Sequence, residues 1–131
     1  MIDMDNFKLV NDQYGHQVGD DVLCALADIL KKFPEDKLIG CRIGGDEFSV
    51  FLPDETNRER LGHFISQLKK DYQRRLCELG YAKYTSISAG AVICDLSRNS
   101  NVDFVQLYNA ADRELYEVKA NGKNQFRIRE L

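Results

Sequence analysis

Two carboxylates follow a pair of glycines at a bend between two apolar segments of the chain. The bend Gly44–Phe48 reads Gly-Gly-Asp-Glu-Phe and lies between the apolar residues of 38–43 and 48–52. Glycine tolerates the positive φ angles of tight hairpin turns, so the pattern predicts a β-hairpin with Asp46 and Glu47 at its tip. Charged residues at a turn often serve only to keep it solvated, and that interpretation assigns these carboxylates no chemistry.

A second pair of carboxylates closes a strand-like segment at the start of the chain. Asp3 and Asp5 are two residues apart, which places them on one face of a strand. If this strand lies beside the hairpin, Asp3 and Asp46 converge at its end. Oxygen ligands in such a cluster suit Mg²⁺ together with a nucleoside triphosphate, so the sequence predicts a metal–nucleotide site.

The length and charge of the chain exclude several classes of function. Its 131 residues suffice for one domain with its own core. A net charge of −3 without a basic run argues against nucleic acid as a partner, and no apolar stretch approaches the ~20 residues of a membrane span. Four cysteines without metal-ligand spacing are expected to be buried, reduced thiols of a cytoplasmic protein; they are Cys24, Cys41, Cys77 and Cys94.

Apolar periodicity and turn residues divide the chain into alternating strands and helices. The expected helices are 5–13, 20–33, 56–80 and 103–120, and the expected strands are 1–3, 38–43, 48–52, 84–94 and 126–128. Asp20 is expected to cap the second helix, and Thr56 with Glu59 to form a capping box at the third. The order predicts a single α+β domain over 1–131, with an antiparallel-rich central sheet flanked by helices.

Short motifs rich in charged residues and glycines extend over almost the whole chain. They are Met1–Lys8, Asn11-Asp12, Gly15-His16, Gly19-Asp20, Gly44–Phe48, Ala111-Asp112, Leu115-Tyr116, Lys119 and Gly122–Asn124. In this order they resemble the GGDEF domain of diguanylate cyclases, a family that makes cyclic di-GMP and two pyrophosphates from two GTP. The resemblance implies a fold like the palm of class III nucleotide cyclases and polymerases.

The resemblance implies a metal site with two Mg²⁺ or Mn²⁺ ions. Asp3, Asp46 and the backbone carbonyl of Met4 match the family's metal ligands. Glu47 matches a second catalytic carboxylate beside Asp46, and it either deprotonates the attacking ribose 3′-hydroxyl or holds the second metal. Asp5 is expected to shape the metal site from outside the ligand shell.

Asn11 and Asp20 match the residues with which the family recognises guanine. A carboxylate only accepts hydrogen bonds, and guanine offers the adjacent donors N1–H and N2–H. Adenine presents an acceptor at N1, so Asp20 would reject it. The alternative for Asp20 is helix capping, and both roles can coexist. Asp12 and His16 are expected to stabilise the intervening turn.

Four residues match the family's triphosphate-binding positions. Phe7 and Lys8 would offer backbone N–H groups at a helix start, where the helix dipole favours anions. Lys119 and Lys123 would bind phosphate with their side chains, although lysines near a helix end are also favoured for structural reasons. The family often has arginine at the second position, and Lys123 keeps the charge without the bidentate fork.

The chain departs from the family pattern in two places. Glu35 and Leu38 stand where many members carry the arginine and aspartate of a product-inhibition site, so no such site is expected here. The Asp-x-Leu-Thr segment and helix that precede the first strand in the family do not occur in the chain. The first strand is therefore expected to be truncated and the N-terminal segment of the family domain to be missing.

The resemblance implies a diguanylate cyclase in which two copies of the domain, each with one GTP, face each other as a homodimer. The alternative is a catalytically weak GTP-binding module that regulates an attached effector or phosphodiesterase domain. In either case we expect a cytoplasmic domain, alone or as the cytoplasmic part of a larger membrane-anchored protein, with a fused or associated sensor. The domain itself is expected to contact neither membrane nor nucleic acid.

Overall fold

The computed structural model describes all residues from 1 to 131 as five strands and four helices. The strands are β1 (Ile2–Met4), β2 (Ile39–Gly44), β3 (Glu47–Phe51), β4 (Ile87–Ile93) and β5 (Phe126–Glu130). The helices are α1 (Phe7–Tyr14), α2 (His16–Leu30), α3 (Arg58–Leu79) and α4 (Phe104–Ala120). None of these helices is both long and apolar enough to cross a membrane.

The strands form one sheet in the order β2-β3-β1-β4-β5. The short strand β1 lies in its centre and pairs antiparallel with both β3 and β4. The hairpin β2–β3 is also antiparallel, whereas β4 and β5 are parallel and are connected through α4. The expected α+β fold with an antiparallel-rich sheet is thus confirmed.

Most of the core lies between one face of the sheet and helices α2 and α3. Ile2, Met4 and Phe48 contribute from the sheet, and Leu26 and Leu76 contribute from the helices. Because side chains alternate along a strand, Asp3 lies on the opposite face from Ile2 and Met4. The alternation in β1 therefore anchors the strand in the core while it directs two carboxylates to the other side.

Helix α4 covers that other face, and Gly90 of β4 makes this possible. A Cβ atom at Gly90 would lie 2.2 Å from the backbone nitrogen of Leu115 and 2.3 Å from the backbone oxygen of Ala111. Real Cβ atoms do not approach backbone atoms so closely, so only glycine lets the helix and the strand meet here. The position of Lys119 at the end of α4 depends on this contact.

Two predicted helix starts are wrong. Helix α2 begins at His16, since Gly15 with φ 89° already turns the chain, and Asp20 lies inside the helix and does not cap it. Helix α3 begins one residue after Asn57, whose side chain accepts a hydrogen bond from the Arg60 backbone nitrogen at 2.9 Å. Asparagine is at least as good a cap as threonine, so it displaces the predicted Thr56–Glu59 box.

The prediction for the cysteines is wrong in one respect. All four are free thiols, but Cys24, Cys41 and Cys77 are exposed and Cys94 is half-buried. Cys24 and Cys77 lie on outward faces of their helices, and Cys41 lies on β2, a fully exposed strand at the sheet edge. Cysteine resembles a small apolar residue in sequence patterns, which makes its exposure hard to predict.

We predict that Gly90→Ala lowers the free energy of unfolding by about 3 kcal/mol or more, because α4 must move off the sheet to admit the methyl group. The matched control is Gly62→Ala in α3, where the nearest atom would be 3.8 Å from the new Cβ. That change should raise stability by about 0.5–1 kcal/mol, since alanine favours helix. Urea unfolding measures both. A Gly90→Ala protein of wild-type stability would contradict the proposed contact.

Candidate functional site

The end of β1 lies beside the hairpin tip that carries the two predicted catalytic carboxylates. Asp3 stands opposite Glu47 in the β1–β3 pairing. One residue further, the Met4 backbone nitrogen donates a hydrogen bond to the Asp46 carbonyl oxygen at 3.3 Å. The structure therefore brings together the predicted metal ligands Asp3, Met4 and Asp46, with Glu47 next to them.

The hairpin turn has the conformation expected for its glycines. Gly45 has a φ of 53°, which an L-residue with a side chain adopts only at a cost. Arg42 closes the turn, because its Nε donates a hydrogen bond to the Gly45 carbonyl oxygen at 2.8 Å. Phe48 is buried and holds the following strand in the core. The two carboxylates are thereby presented from a fixed bend.

Asp3 is the most electrostatically perturbed carboxylate of this cluster. Burial raises the pKa of Asp3 to about 6, Lys119 opposes the rise, and the nearby negative charges of Asp46 and Glu47 add to it. Each of these neighbours lies close enough to influence the proton on Asp3. The cluster therefore concentrates negative charge in a poorly solvated place, which a cation would relieve.

Asp3 and its surroundings fit a divalent cation. Lys119 forms an ion pair with the buried Asp3 Oδ1, which has no other polar partner in the protein. No three His, Cys, Asp or Glu side chains are assembled closely enough to hold a metal by themselves. Mg²⁺ takes only one or two carboxylates and completes its octahedron with water and phosphate oxygens, so two carboxylates and a backbone carbonyl suit it.

Asp5 has a structural role beneath the cluster. Its carboxylate is buried and accepts hydrogen bonds from Ser86 Oγ at 2.5 Å, Ser88 Oγ at 2.6 Å and the Asn124 backbone nitrogen at 3.0 Å. Its backbone nitrogen also donates to the Ser86 carbonyl at 2.8 Å. These bonds attach the end of β1 to β4 and to the turn that follows α4, in line with its predicted outer role.

The start of α1 has the features of an anion site. Asn6 has a φ of 59° and provides no side-chain cap, so no side chain accepts from the first-turn amides of Phe7 and Lys8. Lys123 reaches the same place, since its Nζ donates a hydrogen bond to Asn6 Oδ1 at 2.8 Å. The predicted phosphate-binding groups at the start of α1 and after α4 therefore meet.

The predicted guanine-binding residues lie on α1 and α2. Asn11 packs directly against Gly19, where a Cβ atom would lie 1.9 Å from the Asn11 Oδ1. Gly19 precedes Asp20, so the close contact between Asn11 and Gly19 sets the distance from Asn11 to Asp20. Asp20 is exposed and forms neither a hydrogen bond nor an ion pair, which leaves its carboxylate available to a ligand.

Other predicted positions have different surroundings. Asp12 and His16 are exposed and lie within α1 and α2, and only Gly15 separates these helices, so the turn that they were expected to stabilise does not form. Leu38 is buried among core residues, and Glu35 is exposed. A buried leucine cannot present the charge that a product-inhibition site needs at this position.

Sequence reasoning missed the partners that hold the site together. Ser86 and Ser88 bind Asp5, and Asn6 contacts Lys123, but the sequence predicted no role for these two serines or for Asn6. The alternation of two serines with apolar residues at the start of β4 was a usable signal, because a polar residue directed into a sheet face needs a partner there.

Known proteins resemble this chain over nearly its whole length. The family described as "Diguanylate cyclase, GGDEF domain" matches residues 1–125. A diguanylate cyclase of Vibrio cholerae is 34% identical over 95% of this chain and 37% of its own length. A probable diguanylate cyclase of Escherichia coli, DgcT, is also 34% identical, over 100% of this chain and 29% of its own length.

Solved structures give the same result for the fold. The active GGEEF domain of a Vibrio cholerae diguanylate cyclase superposes with a TM-score of 0.73 at 33% identity, over 97% of this chain and 78% of that one. Pseudomonas aeruginosa SiaD, a diguanylate cyclase solved with its activator SiaC, gives 0.77 at 26% identity, over 97% and 47%. The chain spans about a third of the length of the curated relatives it matches.

We predict that Asp3→Asn stabilises the metal-free protein by on the order of 1 kcal/mol at about pH 8, since it removes a buried charge. The unfolded carboxyl ionises near its ordinary pKa of 3.8, whereas the pKa in the folded protein is about 6. The free-energy cost of the buried charge is thus fully present above the pKa of Asp3 in the folded protein. It is absent below the pKa of Asp3 in the unfolded chain.

Urea unfolding in the presence of a chelator measures this effect, and the advantage of Asp3→Asn should vanish at about pH 4. Asp28→Asn, at an exposed position on α2, is the control and should change little at either pH. If Asp3→Asn is the less stable protein at the higher pH, the ion pair with Lys119 outweighs the cost of burial.

Proposed function

The chain belongs to the GGDEF family of diguanylate cyclase domains, and on that basis we propose that it condenses two GTP into cyclic di-GMP and two pyrophosphates. The family is enzymatic, binds GTP and cyclic di-GMP, and uses divalent metal ions. The observation that carries the proposal for this chain is the cluster of Asp3, Asp46 and Glu47 at the end of β1, beside the uncapped start of α1.

For GTP recognition we propose the pair Asn11 and Asp20, which lie on α1 and α2. Asp20 would accept from guanine N1–H and N2–H, because its carboxylate has no partner within the protein. Asn11 would contact the same base from α1. The triphosphate would lie at the start of α1, where the amides of Phe7 and Lys8 and the ammonium of Lys123 are directed to one place.

Asp3, Asp46 and the Met4 carbonyl would hold Mg²⁺ or Mn²⁺, two ions for each site. When bound, such ions neutralise phosphate charge and make the ribose 3′-hydroxyl easier to deprotonate. Lys119 balances the charge of Asp3 in the metal-free protein. Once a cation balances the charge of Asp3, the ammonium of Lys119 is free to bind a phosphate oxygen. The position of Lys119 at the end of α4 also suits this contact.

Glu47 stands opposite Asp3 in the β1–β3 pairing, next to the proposed metal ligands. It would either accept the proton of the ribose 3′-hydroxyl or complete the second metal site. The reaction joins the 3′-oxygen to the α-phosphorus of the other GTP, and the bond from that phosphorus to pyrophosphate breaks. Each domain holds one GTP, so a second copy must supply the other, and we propose that the active form is a homodimer.

We predict that the domain, dimerised by a fused coiled coil, produces cyclic di-GMP from GTP and Mg²⁺, as detected by mass spectrometry. Asp46→Asn and Glu47→Gln should each lower the rate by about 100-fold or more, because each removes a charge from the reacting centre. Asp28→Asn, an exposed carboxylate on α2, should leave the rate unchanged, and a chelator should abolish it.

Absence of product from the dimerised wild-type domain would contradict a cyclase. If that domain is nevertheless stabilised against heat by GTP with Mg²⁺ and not by ATP, the alternative function as a GTP-binding regulatory module is favoured. No stabilisation by either nucleotide would exclude both functions.

We predict that the domain lacks the family's product-inhibition site, since Leu38 is buried and Glu35 would repel a phosphate. Calorimetry with cyclic di-GMP should therefore detect no tight binding outside the active site. The test uses the Asp20→Asn protein, in which guanine recognition at the active site is weakened. Tight binding that persists in this variant would show a separate product site.

A further inference from the structure

Three tyrosines join the α1–α2 pair to the segment before β4. The rings of Tyr14, at the end of α1, and Tyr84 are stacked, with centroids 3.8 Å apart and planes inclined by 10°. Tyr81 continues the stack on Tyr84, with centroids 5.9 Å apart. The stack therefore connects the far end of α1 to a different part of the chain.

The stack ends at Asp21, which is adjacent to the predicted guanine-binding residue Asp20. Tyr81 Oη donates a hydrogen bond to Asp21 Oδ2 at 3.0 Å, and Gln17 Nε2 donates to Asp21 Oδ1 at 3.0 Å. Both oxygens of Asp21 are thus occupied. The adjacent Asp20 has no hydrogen bond or ion pair. Of two neighbouring carboxylates, one is fixed by the protein and the other is left for a ligand.

Helix α1 needs such support from outside. It has eight residues, and Val10 is its single buried residue. A helix this short is marginal in water, and tertiary contacts must hold it. Asn11 lies in its middle, so any movement of α1 changes the distance from Asn11 to the base.

The residues that follow Tyr84 are attached to the end of β1, where the predicted metal ligands lie. Directly after Tyr84, the Thr85 Oγ1 donates a hydrogen bond to the Asp5 carbonyl at 2.6 Å, and the Ser86 carbonyl accepts from the Asp5 backbone nitrogen at 2.8 Å. Ring stacking adds about 0.5–1.5 kcal/mol to simple burial, which is enough to restrict a marginal helix. The segment thus links the end of β1 to the α1–α2 pair.

We propose that Tyr14, Tyr84, Tyr81 and Asp21 form a brace that positions Asn11 and Asp20 for guanine, and that its tyrosines are specificity-determining positioning residues. The inference rests on the proposed function, because it concerns the base of the same nucleotide. The brace holds the spacing at which Asp20 can accept from both N1–H and N2–H. Without it, the second of these bonds is the first to be lost, since a bidentate contact tolerates little displacement.

The test compares a GTP analogue that has a methylene group between its α- and β-phosphates with the corresponding inosine nucleotide, which lacks the 2-amino group. Calorimetry with Mg²⁺ gives both dissociation constants without turnover. In the Tyr84→Ala protein, the preference for guanine over hypoxanthine should fall by about threefold to tenfold relative to wild type. Tyr84→Phe keeps the ring and should restore the wild-type preference.

Tyr81→Phe removes the hydrogen bond to Asp21 and keeps the ring, so it should fold normally and still show a reduced preference for guanine. Two matched controls come from the aromatic pair on α4, Phe104 and Tyr108, whose centroids are 6.2 Å apart. Phe104→Ala removes an aromatic ring and Tyr108→Phe removes a tyrosine hydroxyl, both away from α1, and both should leave the preference unchanged.

The outcomes separate the brace from simple stabilisation. A lower melting temperature with an unchanged preference for guanine in both Tyr84→Ala and Tyr81→Phe would overturn the brace. Failure of the wild-type domain to bind the GTP analogue would overturn the proposed function and the brace with it. Binding with an altered preference for guanine, together with a lack of cyclase activity, would support the brace and would contradict only the proposed catalysis.

Discussion

The buried carboxylate of Asp5 is the interaction on which the arrangement of the site depends. A charge can be buried only if hydrogen bonds replace its lost hydration, and Asp5 obtains them from Ser86, Ser88 and the Asn124 backbone. These donors come from the start of β4 and from the turn after α4. One side chain thereby holds these two segments to the end of β1.

The position of Asp5 explains why the groups proposed to bind the metal and the triphosphate meet at one place. β1 is a short central strand, and the chain leaves it directly into α1, so the carboxylate of Asp3 and the amides at the start of α1 lie a few residues apart. The turn attached to Asp5 carries Lys123, which contacts Asn6. The carboxylates proposed to hold a cation and the donors proposed to bind phosphate thus lie next to each other.

The negative charges of Asp3, Asp46 and Glu47 repel one another in the metal-free protein, and Lys119 partly offsets this unfavourable energy. Burial and the neighbouring carboxylates hold the pKa of Asp3 at about 6, and Lys119 supplies the positive charge nearest to it. In the proposed cyclase, a divalent cation that enters the cluster would relieve this repulsion, and that relief would contribute to substrate binding. In the same proposal, the ammonium of Lys119 would then be free to bind a phosphate oxygen.

Much of this protein follows from local sequence patterns, and the rest follows from contacts between distant segments. The alternation around Asp3, the glycines before Asp46 and the helical periodicity of α2, α3 and α4 predict the hairpin, the sheet and the α+β fold, because side-chain direction and turn conformation are local properties. Two helix starts were predicted wrongly, since Gly15 and Asn57, and not Asp20 and Thr56, precede the first helical residues. Only the tertiary structure decides that β1 lies in the centre of the sheet, that Gly90 admits α4, and that Ser86 and Ser88 hold Asp5. These outcomes depend on packing distances between residues far apart in the chain, which no short pattern encodes.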